Sequence, residues 1–196
     1  MKKFTINKPL AKELDGNALE SSPRNQNRVV FIVLLAALVL GAIGGYLTFS
    51  GIFSGDSDAP KTFSADSMSI TLTDDFKEKD EVGYVAVYES KRVSVFVLKE
   101  LFSFAEGLEN YSTEQFAGWT ISYNDWDNPK IMNVDGLTFF EYKSVNPETK
   151  DTNRFISYVY KADDSFWMIQ FAVRDKYAEE YAPKIAEWAK SVEFSD

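Results

Sequence analysis

A chain of 196 residues with no cysteine, no histidine and a net charge of −9 is barred from several chemistries before any element is read. Disulfides, a lipid-modified cysteine anchor, thiolate or imidazole zinc sites, and Ser-His-Asp or Cys-His nucleophilic machinery are all excluded. The acidic balance also disfavours nucleic acid, whose phosphates it would repel.

Residues 1–28 carry six basic and three acidic side chains, lack apolar periodicity, and include Pro9 and polar Asn and Ser stretches. Such a segment reads as disordered. Val29 to Leu47 then supplies nineteen apolar or small residues without a charge. As a helix this run covers about 28 Å, the thickness of a bilayer's hydrocarbon core. The reading is a transmembrane helix over 29–50. A cleaved signal peptide is the competing reading, but its charged lead is short and its apolar core is about 7–15 residues. All six basic residues before the run (Lys2, Lys3, Lys8, Lys12, Arg24 and Arg28) fall on one side of it, whereas Asp56 and Asp58 follow it. That asymmetry places the N-terminus in the cytoplasm and the C-terminal domain outside the cell, in a single-pass arrangement. Ala37, Gly41 and Gly45 share one helix face, the small-residue geometry that allows weak homodimerisation. Residues 51–61 (GIFSGDSDAPK) are small, polar and turn-prone, and read as a linker.

Residues 62–196 have the size of one ordinary domain with one core. Met68 to Thr73 (MSITLT) alternates apolar with polar residues, the period of a half-buried strand, and Phe76 is expected to turn back into the core. Lys77 to Glu81 reads as a solvated charged loop. Gly83 to Tyr88 and Val93 to Leu98 flank a charged turn and form a hairpin. Ser112 followed by Gln115 has capping-box spacing, which predicts a helix over 113–123.

Lys130 to Val134 and Leu137 to Val145 flank Asp135-Gly136, a strong hairpin turn. Asn153 to Lys161 and Ser165 to Val173 flank Ala162-Asp163-Asp164 and form another. Over 175–191, Tyr177, Tyr181, Ile185 and Trp188 recur at helical spacing, with Pro183 expected to break the helix and open a second segment. Val192 to Phe194 closes the domain as a short strand. The sum is an α+β fold, an antiparallel sheet of about six strands with helices packed on it.

With those elements in place, SITLTDDF at 69–76, SVFVLKELF at 94–102, YSTEQFAGW at 111–119, FWMIQFAV at 166–173 and IAEWAKSVEF at 185–194 resemble the PsbP-like (PsbP/Mog) α/β/α sandwich family. The resemblance spans about residues 62–196. It implies that fold, and a binding or accessory module without chemistry of its own. It carries no catalytic, cofactor or metal residue across.

The densest polar cluster is Asn124-Asp125-Trp126-Asp127-Asn128-Pro129. Asp125 and Asp127 offer oxygen ligands for calcium, yet the Gly and distal Glu of an EF-hand loop are missing. The stretch reads instead as a helix-ending loop whose side chains bond its own backbone. Asp151-Thr152-Asn153 and Asp163-Asp164 read as turns for the same reason. Trp126 either anchors a partner or caps the sheet, and capping is favoured.

Three function classes follow. The leading one is a non-enzymatic, membrane-anchored extracytoplasmic binding module whose partner is an unidentified envelope protein, with the bilayer held through Val29–Leu47. The others are a transmembrane sensor and, behind it, a carboxylate-based hydrolase needing two converging acids.

Overall fold

The computed structural model describes residues 58–124, 126, 129–146 and 149–195. Val29–Leu47, with Ala37, Gly41 and Gly45, lies outside them, as do Asp125 and Asp127. Among the described residues no helix is long and apolar enough to cross a membrane.

Two antiparallel sheets are present. In the smaller, β1 (Pro60–Ala65) pairs with β2 (Met68–Thr73), whose other edge takes β10 (Glu193–Phe194). The larger has seven strands: β3 (Lys77–Lys79), β4 (Ala86–Glu89), β5 (Val93–Leu101), β6 (Ile131–Val134), β7 (Leu137–Val145), β8 (Thr152–Lys161) and β9 (Ser165–Arg174). Their spatial order is β3-β4-β5-β9-β8-β7-β6. The two longest strands of the chain's apolar sequence, β8 and β9, thus occupy the centre of the sheet together with β5.

Several expectations change here. Among the described residues the sheet of about six strands becomes ten strands in two sheets. Lys77–Lys79, expected as a charged loop, is an edge strand, with all three residues exposed. Backbone pairing to β4 holds it there, and charged side chains suit an exposed edge because they discourage pairing with other chains. β1 begins at Pro60, inside the segment read as linker.

One face of the large sheet packs on the small sheet and on α2 (Ala178–Lys190). Ile70 and Leu72 from β2, Val95, Trp167, Ile169 and Phe171 from the large sheet, and Ile185 and Trp188 from α2 share that core. Phe76 is buried there, edge-on to Trp188. At the end of α2 the Ser191 hydroxyl accepts from the Thr71 N–H at 2.9 Å and donates to the Trp188 carbonyl at 2.7 Å, tying helix to small sheet. Contrary to expectation, Pro183 does not break α2; it is the sixth of thirteen helical residues. The position is exposed, so the ring meets solvent, and its fixed φ suits the helix at the loss of one backbone bond.

Across the opposite face lies α1 (Thr113–Tyr123), which covers β7 and β8. Its capping box forms as the spacing predicts: the Gln115 N–H donates to Ser112 Oγ at 3.2 Å, and the Ser112 N–H donates to Gln115 Oε1 at 2.8 Å. Asp135 and Gly136, with φ of 54° and 82°, make the two-residue turn between β6 and β7. The result is a helix, a large sheet, and a layer of helix plus small sheet.

Candidate binding face

On the α1 side of the large sheet, strand alternation places Val87, Phe96, Gln170, Ser157 and Phe140 in one row across β4, β5, β9, β8 and β7. A neighbouring row runs Ser94, Ala172, Phe155 and Tyr142. α1 lies over β7 and β8 through Phe116, Ala117 and Ile121, and Phe116 also stacks on Phe166 of β9 at 4.4 Å, so the less covered positions lie on β5 and just before β4. There Leu98 is half-buried and Val85 is 39% exposed. Val85 donates its N–H to the Val97 carbonyl at 2.8 Å, which extends the β4–β5 pairing and sets Val85 beside Leu98.

Aromatic rings close over the middle of this face. Trp126 stacks on Tyr142 with centroids 3.9 Å apart, and Tyr142 stacks on Phe155 at 4.8 Å. Tyr84, from the loop between β3 and β4, lies on Phe96 at 5.1 Å. Trp126 therefore caps the sheet instead of standing out as an exposed anchor, and it is half-buried.

Beneath the rings is a short polar chain. Gln170 Nε2 donates to the Tyr142 hydroxyl and to Ser157 Oγ, both at 2.9 Å. Gln170 is fully buried, and its Oε1 has no hydrogen-bond partner. Burial is the main cause that drives the Tyr142 phenol far above its usual range, with the nearby Tyr84 adding to it. Tyr84 is raised too, by burial and by Glu81. Both phenols stay protonated and serve as hydrogen-bonding, amphipathic surface.

Two strand positions further along β5 sits Glu100, 9% exposed, with Oε1 buried and unbonded. Burial pushes its carboxyl up to about 7. Phe166 stands opposite it in the register. An acid beside a ring is not the converging acid pair that carboxylate hydrolysis requires. The remaining acidic residues singled out in the sequence are dispersed: Asp151 pairs with Arg174 at 3.5 Å, and Asp164 accepts from Ser165 and lies 3.9 Å from Lys99. Among the described residues no group of three or more acidic side chains is placed to hold a metal ion. Sequence reading missed Gln170, Tyr142 and Glu100, because each looks like an ordinary strand residue until the register puts it in place.

No protein-family model matches the chain, and no curated protein matches it in sequence. Solved structures do. The solution structure of cyanobacterial PsbP (CyanoP) from Synechocystis sp. PCC 6803 is similar with a TM-score of 0.50 and 10% identity, covering 74% of this chain and 99% of that one. The Ran-binding protein Mog1p of Saccharomyces cerevisiae is similar with a TM-score of 0.48 and 11% identity, covering 70% and 96%. The fold is PsbP/Mog-like, as the sequence resemblance implied. At such identity the likeness concerns architecture alone.

Proposed function

We propose that the protein is a single-pass, membrane-anchored accessory module, non-enzymatic, that presents its PsbP/Mog-like domain outside the cell to bind an envelope protein. In this reading residues 1–28 lie in the cytoplasm, 29–50 span the bilayer, 51–59 link, and the domain follows. Support for the anchor comes from the charge-free run Val29–Leu47 and its one-sided basic lead. The observation that carries the binding role is the partly uncovered apolar strip at Val85 and Leu98, beside the aromatic cover of the same face.

Crosslinking in intact cells, followed by identification of proteins that co-purify with the full chain, tests the module. A discrete partner lost on Leu98→Asp is the expected result. Turnover of a substrate panel by the full chain would overturn it. Protease added to whole cells should digest the domain, which tests the topology.

A further inference from the structure

The antiparallel topology sorts charge to the two ends of the domain. At one end lie the start of β1, the β2–β3 turn, the β4–β5 turn, the β7–β8 turn and the β9–α2 junction, because strand register aligns Pro60 with Thr73, Lys77 with Glu89, and Val93 with Val173. The opposite end gathers the β1–β2, β6–β7 and β8–β9 turns, with Asp66, Asp135, Asp163 and Asp164, and the β3–β4 loop with Asp80 and Glu81. Lys99 joins two of those turns by lying 2.9 Å from Asp66 and 3.9 Å from Asp164, and Lys190 lies 2.6 Å from Asp135, which leaves Asp80, Glu81 and Asp163 without a salt bridge among the described residues.

The first end mixes acids with a larger set of basic side chains. Its acids are in large part answered in place: Asp58 by Lys184 at 2.6 Å, Asp175 by Lys143 and Arg154 at 2.8 and 2.9 Å, Glu179 by Arg154 at 2.7 Å, and Asp151 by Arg174. Asp74, Asp75 and Glu180 lie here too and form no salt bridge among the described residues; Lys77 Nζ donates to the Asp74 backbone carbonyl at 3.4 Å. Lys91, Arg92 and Lys176 likewise form no salt bridge among the described residues. Arg92 lies over the Tyr177 ring at 4.2 Å and Lys176 approaches it at 4.9 Å, so one tyrosine gathers two cations at the surface. Tyrosine with lysine and arginine is the composition that sits well at a membrane–water interface.

The chain enters the domain at this same end, through Asp58, Ala59 and Pro60, only about a dozen residues after Leu47. A tether so short confines that end to the bilayer's neighbourhood. From these two independent facts we propose that the Lys91-Arg92-Lys176-Tyr177 end of the domain rests on anionic phospholipid headgroups of the membrane that anchors it. The acidic end is thereby turned outward. This rests on the anchor reading above. The attraction is electrostatic, so it weakens with salt, and the like-charged far end disfavours the inverted orientation.

The cysteine-free chain permits a clean test. The full-length protein carrying Glu180→Cys at the near end or Asp163→Cys at the far end is labelled with a fluorophore. Each is reconstituted into liposomes with nitroxide-headgroup lipid, with or without phosphatidylglycerol. Expected is quenching several-fold stronger at position 180 than at 163 in phosphatidylglycerol-containing membranes. The difference should shrink at high salt and in the Lys91→Glu, Arg92→Glu, Lys176→Glu triple variant. Equal quenching at both positions, or indifference to lipid charge and to the triple variant, would overturn the proposal while leaving the anchor intact. Failure of the chain to float with liposomes at all would remove the anchor reading and this orientation with it.

Discussion

The indole of Trp126 lies flat on the Tyr142 ring, 3.9 Å between centroids and 18° from parallel, and so pins the segment after α1 to strand β7. Truncating it removes that stack and the contact with Phe140 at 5.7 Å. Because the indole is half-buried, Trp126→Ala should cost about 2 kcal/mol, below the usual range for a fully buried aromatic. Urea unfolding of variant and parent should show the midpoint fall with the slope unchanged.

Glu100 makes stability depend on pH in a defined direction. Its carboxyl titrates at about 7 in the folded protein against an ordinary value of 4.5, so the folded state holds the proton more tightly than the unfolded chain. Stability is therefore unpenalised below about 4.5, declines as pH rises through 7, and stays reduced above. Glu100→Gln should raise stability at pH 8 by roughly 1–3 kcal/mol and leave it nearly unchanged at pH 4. Thermal melts across that window measure it; an unaltered pH slope in the variant would refute the assignment.

Asp175 acts with the opposite sign. The hydrogen bond from Lys143, then the hydrogen bond and charge of Arg154, hold its carboxyl below the usual range. Its contribution is present above the ordinary carboxylate pKa and fades as pH falls through the lowered folded value. Asp175→Asn should destabilise at neutral pH, and the gap to the parent should close on acidification. High salt should narrow it as well, since the groups are partly exposed.

The Ser112 capping box fixes where α1 begins. Removing the hydroxyl leaves the Gln115 N–H without its acceptor, and Ser112→Ala should cost about 1 kcal/mol. Ser112→Asp, which restores an acceptor, should recover most of that loss. Equilibrium denaturation of the three proteins checks the pair of outcomes.

Much of the domain was legible because its signals are local. The capping spacing at Ser112 and Gln115, the Asp135-Gly136 turn, the apolar alternation of β2 and the apolar and aromatic runs of β8 and β9 each act within a few residues, where propensity and hydrophobic pattern decide structure. Lys77–Lys79 was not legible, because three exposed charged or polar residues become a strand only through the backbone of β4. Pro183 misled for a similar reason: its fixed φ is already helical, and the packing of Ile185 and Trp188 on the sheet outweighs the one backbone bond it removes.

The candidate face divides the same way. Trp126 could be singled out as unexplained, but its partner Tyr142 lies across a loop and a strand, and Gln170 reaches Ser157 only through the β8–β9 register. The sequence by itself determined that one apolar run precedes one cysteine-free, acidic α+β domain, since composition and period are properties of neighbouring residues. Only tertiary structure decided which turns share an end, and so which charges add together. Electrostatic fields sum over distance in space, and antiparallel pairing is what brings Lys91, Arg92 and Lys176 to the end where the chain enters.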